Sequence, residues 1–127
     1  MTPRRDRGAS TVEFTLVSVL LLFLFCGILQ LGFVLHTRNL WIAAAQDGAR
    51  FGANADRDAG DAEARARQVV SDAMSPRVAG RLDVRARVTV EDGVRVMEVR
   101  MSGPLPVVFL PIAVADLAVE GHALEEG

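Results

Sequence analysis

The sequence predicts an α+β protein: a long N-terminal transmembrane helix that continues into a stalk, then a helix packed on a small antiparallel sheet. Three patterns predict it. Residues 14–37 are 24 consecutive positions without Asp, Glu, Arg or Lys. Residues 62–74 repeat small and apolar side chains at helical spacing, and residues 82–101 alternate apolar with polar side chains around a turn signal. At most about 75 to 90 residues remain for a soluble core, which allows one small domain and excludes a large enzyme.

The apolar run is long enough to cross a membrane. At a rise of about 1.5 Å per residue, residues 14–37 would extend roughly 36 Å as a helix, against a hydrocarbon core of about 30 Å. A cleaved secretory signal has a shorter apolar region, and the small-x-small site at residues 43–45 follows several polar residues too late to serve one. A secreted domain that starts near Gln46 is therefore the less favoured interpretation.

The flanking charges predict the orientation of the span. Only one acid, Asp6, accompanies the basic residues that precede the run, which are Arg4, Arg5 and Arg7. The basic-flank rule places this end in the cytoplasm and the C-terminal residues outside. Trp41, just beyond the run, suits either the outer interface belt or a packing position on the helix.

Glu13 lies where charge meets the apolar run, and it has two interpretations. Residues 10–13 fit a capping box, in which Ser10 and Glu13 would satisfy the free amides of a first helical turn. Alternatively, a carboxylate beside a bilayer segment is costly unless paired, which makes it a functional candidate.

The surrounding residues resemble the processing site of type IV prepilins. A basic leader ends at Gly8, small and β-branched residues follow, and Glu13-Phe14 opens the apolar run. The resemblance implies that prepilin peptidase cuts after Gly8 and that Ala9 becomes the new N-terminus. It also implies that Glu13 and Phe14 serve cleavage recognition, or that Glu13 neutralises the amine of a neighbouring subunit. The physics agrees, since two charges at the edge of a low-dielectric region are tolerable as a pair.

A second motif beyond the span narrows the resemblance; its residues are Ala44-Ala45-Gln46-Asp47-Gly48-Ala49-Arg50-Phe51-Gly52-Ala53. Together the two motifs resemble the TadE-like family of tight-adherence pilus assembly systems, over about residues 7–53. The resemblance implies a pilin-like, non-enzymatic protein whose partners are the membrane, prepilin peptidase and other pilus or pseudopilin subunits. Many members carry a proline shortly after Glu-Phe, where this chain has Ser18-Val19, so we expect a straighter span.

Small residues in the stalk predict a close helix contact. They recur with i, i+4 spacing, as Ala44, Gly48 and Gly52 and as Ala45, Ala49 and Ala53. Such a stripe lets another backbone approach closely. Two partners are open: the outer domain of the same chain, which is slightly favoured, and another subunit. The helix would run from about residue 10 to residue 53.

The outer domain is predicted from residue 54 onward. Residues 54–61 form a polar linker that fails the EF-hand spacing, and Asp61 is expected to cap the next helix, which Pro76 ends. The alternation predicts strands at residues 82–90 and 94–101 around an Asp92-Gly93 turn, and a third strand at residues 117–124. Residues 105–112 are apolar but too short to span a membrane, and we expect them to pack over the sheet or meet the lipid surface.

Catalytic, cofactor and metal sites find no support in the spacing of residues. The two histidines, His36 and His122, are far apart in sequence, and the single cysteine, Cys26, lies in the apolar run. The arginines of the predicted sheet alternate with acids, which favours a mixed solvated face over a nucleic-acid surface. No small-molecule substrate is indicated.

We therefore expect four segments: a cleaved basic leader (1–8), a transmembrane and stalk helix (9–53), a linker (54–61) and a small extracytoplasmic α+β domain (62–127). The predicted function is a processed minor pilin or pseudopilin-like component of a tight-adherence pilus system in the cytoplasmic membrane. The alternative is an uncleaved single-pass membrane protein whose outer domain binds a ligand.

Overall fold

The computed structural model describes residues 4–105 and 116–125. Over these residues the chain forms three helices, α1 (Arg4–Gly52), α2 (Ala59–Ala73) and α3 (Pro76–Gly80). It also forms three strands, β1 (Asp83–Glu91), β2 (Val94–Gly103) and β3 (Leu117–Leu124). The predicted α+β class is confirmed, as is the order of a long N-terminal apolar helix followed by a helix and a three-stranded antiparallel sheet.

Helix α1 is continuous for 49 residues. It contains no proline, the residue that would remove a backbone hydrogen bond and kink it. Because the helix begins at Arg4 and not near residue 10, Ser10 lies in its interior. The predicted capping box of Ser10 and Glu13 is therefore wrong for the full chain, since the amides of that turn are already inside the helix.

The residue that caps the start of α2 is not the predicted one. Asp58 is the N-cap: its Oδ1 accepts a hydrogen bond from the Asp61 amide at 2.9 Å, and the Asp61 Oδ2 accepts one from the Asp58 amide at 3.1 Å. Asp61 is thus the third helical residue of a capping box and not the cap itself.

Pro76 follows α2, as predicted, and it is also the first residue of α3. The Ser75 Oγ accepts a hydrogen bond from the Val78 amide at 3.2 Å, and Pro76 occupies the first turn of α3. The missing N–H of proline costs nothing at that position. The signal that predicted the end of α2 is therefore equally the start signal of α3.

The sheet has the order β1-β2-β3, with both neighbouring pairs antiparallel. Asp92 and Gly93 take positive φ values of 50° and 82°, as a two-residue hairpin turn requires. This turn fixes the register, in which Glu91 faces Val94 and Arg87 faces Glu98. The three predicted strands are confirmed, each to within two residues at its ends.

Both long helices pack on the sheet. Helix α1 contacts α2, β3 and β2, whereas α2 contacts β1. The largest fully buried side chains between these layers include Trp41 of α1, Val70 of α2, and Met97, Val99 and Met101 of β2. Of the apolar segment predicted at residues 105–112, Leu105 is buried, and residues 106–112 lie outside the described residues.

Candidate functional site

The predicted processing motif lies on an exposed, regular stretch of α1. Gly8 and Ala9 are exposed, and a Cβ built on Gly8 would meet nothing within 4 Å. The two hydroxyls nearby are satisfied locally: Thr11 Oγ1 donates to the Arg7 carbonyl at 2.8 Å and Thr15 Oγ1 to the Thr11 carbonyl at 2.9 Å. No other part of the described chain covers the motif, so a second protein has access to it.

Glu13 and Phe14 are both exposed, and the Phe14 side chain is 74% accessible. Glu13 makes no ion pair with any side chain in residues 7–105 or 116–125. It lies four residues after Ala9 in a continuous helix, so the two positions share one face about one turn apart. An ammonium at Ala9 and the Glu13 carboxylate would therefore lie on the same side of α1.

The apolar run that follows is long enough to cross a membrane and is mostly exposed up to residue 29, whereas Gln30 and Thr37 are buried. Only 6% of its most apolar window is buried within the chain. Its large exposed side chains are Leu16, Val17, Val19, Leu20, Leu21, Leu22, Phe23, Leu24, Phe25, Ile28, Leu29 and Leu31. An exposed apolar run of this length requires lipid or other apolar helices around it.

The stalk behaves differently, because its small residues lie against the outer domain of the same chain. Ala44, Ala45 and Ala49 are fully buried. A Cβ built on Gly48 would lie 2.7 Å from the Ala62 carbonyl oxygen and 2.8 Å from the Ala66 Cβ of α2. Gly52 is equally close to Ala62, so these two glycines let α2 approach the α1 backbone.

A third glycine completes this contact from the sheet side. A Cβ on Gly121 of β3 would overlap backbone atoms of Ala45 and Gln46. The structure therefore brings Ala44, Gly48, Ala49 and Gly52 into one intramolecular seam, with α2 on one side and β3 on another. In this conformation these residues are covered by the chain's own outer domain.

Trp41 is also part of the core and not of an interface belt. Its side chain is 0% exposed, one helical turn beyond the equally buried Thr37. Both carry a buried polar atom, Trp41 Nε1 and Thr37 Oγ1, without a hydrogen-bond partner among residues 4–105 and 116–125. Of the two sequence interpretations, the helix-packing position is confirmed and the interface-belt position is wrong.

The sequence predicted a mixed charged face on the sheet but not the ion pairs within it. Glu98 of β2, 6% exposed, lies 3.3 Å from the Arg87 guanidinium and 3.5 Å from that of Arg100. Arg100 also pairs with Glu120 of β3, and His122 lies opposite Glu98. Only the strand register brings these residues together, and the Asp92-Gly93 turn was a signal for the Arg87–Glu98 pair alone, since Glu120 and His122 lie on β3.

Three members of this cluster have the ligand types of a metal site. The possible ligand atoms of Glu98, Glu120 and His122 lie within 4.8 Å of one another. Both carboxylates are already engaged by arginines, so a metal would have to displace Arg87 and Arg100 from them. The arrangement acts as a cross-strand ion-pair network that holds the three strands in register.

The comparisons with known proteins bear on α1. Residues 8–50 match a family model described as TadE-like protein. This segment, about a third of the chain, is similar to TadE-like proteins. The match begins at Gly8 and ends at Arg50, so it includes the Glu13-Phe14 entry, the apolar run and most of the small-residue motif. Comparison with curated proteins found no match to the chain, and comparison with solved structures found none either.

The match confirms the resemblance seen in the sequence and gives its coarse functional meaning. TadE-like proteins belong to tight-adherence pilus assembly and are not known for enzymatic activity. The described residues thus combine a segment similar to such proteins with one N-terminal helix that is long and apolar enough to span a membrane.

Proposed function

We propose that this chain is a processed minor pilin or pseudopilin-like component of a tight-adherence pilus system. The lower half of α1 anchors it until it assembles. The observation that supports this is the combination within one helix of an uncovered processing motif and an uncovered apolar run. A protein that had finished its assembly within one chain would cover that run, whereas an assembly subunit keeps it free for lipid first and for other helices later.

In this proposal the leader lies in the cytoplasm and the outer domain outside. Prepilin peptidase cuts the bond between Gly8 and Ala9, which removes the leader arginines and creates an ammonium on Ala9. Glu13, which has no ion-pair partner in the described chain, then meets the ammonium of a neighbouring subunit. A carboxylate at the edge of a low-dielectric bundle is stable only with such a partner.

Mass analysis of the N-terminus tests the processing step. The chain is purified from native membranes of cells with an active prepilin peptidase and from cells without it. We expect a start at Ala9 in the first case and an intact residue 1–8 segment in the second. An intact segment in both would overturn the proposal and favour the alternative, an uncleaved single-pass protein with a ligand-binding outer domain.

Two glycine variants make the test specific. Gly8→Val should block the cut, because it alters the residue before the scissile bond. Gly32→Val is the matched control, since a Cβ at either glycine meets nothing within 4 Å. Equal cleavage of both variants would contradict a cut after Gly8.

A further inference from the structure

The membrane-side end of the outer domain, here called the base, lies beside the point where α1 leaves its apolar run. Helix α2 runs antiparallel to α1: Ala62 and Ala66 lie against Gly52 and Gly48, and Arg65 pairs with Asp47 at 2.7 Å. Further along α2, residues around its C-terminus share a cavity with α1; these are Phe33, His36, Ala73, Met74, Ser75 and Val78. Helix α3 therefore begins at the level of residues 33–36.

That level coincides with the outer edge of the bilayer in the proposed orientation. A helix needs about 20 residues to cross a hydrocarbon core of about 30 Å. Counted from Phe14, these residues end at Phe33, and the side chains of α1 are mostly exposed below this point and increasingly covered by the outer domain above it. The start of α3 at Ser75 is thus placed at the depth of lipid headgroups, and Arg81 follows at the other end of this five-residue helix, beside the Ala79 and Leu82 carbonyl oxygens that accept from Arg67.

The arginines without a partner concentrate at this end. In the part of the outer chain that the structure describes, seven arginines have an ion pair, a hydrogen bond or a ring contact: Arg57, Arg65, Arg67, Arg85, Arg87, Arg95 and Arg100. Four other arginines, all exposed, have no such contact. One of them, Arg50, lies far from the base. The other three are Arg38, Arg77 and Arg81, which lie on or next to the segments that form the base.

The acids at the same end do not neutralise these arginines. Asp72 accepts a hydrogen bond from the Gln68 side chain at 2.9 Å, and Asp83 pairs with Arg85 at 3.2 Å. Asp116 precedes β3, at the opposite edge of the sheet from β1, into which Arg81 leads. An exposed guanidinium without a partner offers the paired donors that suit a phosphate group.

We propose that Arg38, Arg77 and Arg81 bind the phosphate groups of anionic phospholipids at the outer surface of the bilayer that α1 crosses. The base then holds the outer domain against the membrane until the subunit leaves for assembly. The proposal rests on the proposed function only for the orientation of α1 and is independent of cleavage. Basic residues beside a membrane span gain affinity from an anionic surface, by about fivefold for each arginine.

Hydrogen–deuterium exchange of the full chain in nanodiscs tests this contact. Exchange at residues 76–82 is compared in discs of phosphatidylcholine alone and in discs with one third phosphatidylglycerol. We expect the anionic lipid to slow exchange at these residues by about fivefold or more, and high salt to abolish the difference. Comparing the two lipids within each variant cancels any intrinsic effect of a substitution on α3.

Paired variants locate the effect. Arg77→Gln with Arg81→Gln should remove the lipid dependence, and Arg77→Lys with Arg81→Lys should keep part of it, since a lysine retains the charge without the fork of donors. Arg50→Gln with Arg57→Gln is the matched control, which removes two charges from the distal end and should change nothing. Equal exchange in both lipids, or the same loss in the control, would overturn the proposal.

Two further results separate this proposal from its premises. A C-terminal alkaline phosphatase fusion that is inactive in cells would overturn the orientation, and with it both proposals. An active fusion without lipid-dependent exchange would overturn the lipid contact alone. If the glutamine pair abolished piliation but the chain showed no lipid dependence, the base would bind a protein of the assembly system, which also contradicts the proposal.

Discussion

The two halves of α1 have different surroundings: the first is largely uncovered, and the second packs against the outer domain. Below residue 33, most large apolar side chains are exposed, as Phe14 and Phe23 are at 74% and 61%, whereas Gln30 is buried. Above residue 40, one face of the helix is buried by Trp41 and by small residues, and the backbones of α2 and β3 lie directly against Gly48 and Ala45. The more hydrophobic half is thus mostly the uncovered one, so along α1 burial follows contact with the outer domain and not hydropathy.

We expect the largest effect on assembly from a substitution in the uncovered half. Glu13→Ala should leave membrane insertion and the outer domain intact while it removes one partner of the proposed intersubunit pair. A buried charge left alone costs about 3–5 kcal/mol, which predicts well over tenfold fewer pili. Pili are counted by electron microscopy, with the exposed outer-domain acid Glu91→Ala as the control. Normal piliation in the Glu13 variant would contradict the proposed pairing.

The largest effect on stability should come from the covered half. Trp41→Ala removes a fully buried indole from between α1 and the sheet, at a cost of about 3–5 kcal/mol in the free energy of unfolding of the outer domain. Circular dichroism during denaturation measures it. Phe23→Ala, in the same helix, should change this free energy very little, because its ring faces away from the domain. Similar losses from both would erase the proposed distinction between the halves.

A glycine-to-alanine substitution can be made in each half of α1, and the two variants compare the halves directly. Gly48→Ala should destabilise the outer domain by about 1–3 kcal/mol, because the new methyl group meets the Ala62 carbonyl oxygen at 2.7 Å. Gly32→Ala meets nothing within 4 Å and should be neutral or stabilising, since alanine favours a helix. The free energies of unfolding of the two variants should therefore differ in sign or by a clear margin. A stabilised Gly48 variant would show that the seam is looser than described.

The smallest expected effect is a gain. The Thr37 hydroxyl is buried without a hydrogen-bond partner, so Thr37→Val should stabilise the outer domain by about 1 kcal/mol. Thr15→Val serves as the control, because the Thr15 hydroxyl is exposed and already donates to a backbone carbonyl. Thermal unfolding distinguishes the two, and a destabilised Thr37 variant would indicate a partner for this hydroxyl.

Much of the fold was predictable because its signals are local. Alternation located all three strands, and the Asp92-Gly93 turn fixed the hairpin, whose two central residues need positive φ. The start of α1 was not predictable from the Ser10–Glu13 pattern, because a capping box can also occur inside a longer helix. Likewise, Pro76 is compatible with the end of one helix and the start of another.

The residues of the candidate site were likewise predictable only where the sequence signal is local. Gly8 and Glu13 stand out in the sequence because the motif is contiguous. The partner of the small-residue stripe was left open, because periodicity gives the face of a helix but not what covers it. The Glu98 network and the unpaired arginines of the base depend on strand register and on which acids lie nearby, which only the three-dimensional structure provides.

Accessibility of spin labels along α1 tests the division of this helix most directly. Single cysteines are placed from residue 16 to residue 50 of the full chain in bilayers, with Cys26 replaced by serine. We predict access to oxygen dissolved in lipid at Leu16, Leu22 and Leu29, and access to a water-soluble nickel complex at Asn39, Ala43 and Arg50, with the change between residues 33 and 37. Nickel access that begins near residue 16, or oxygen access that continues through residue 43, would contradict the account.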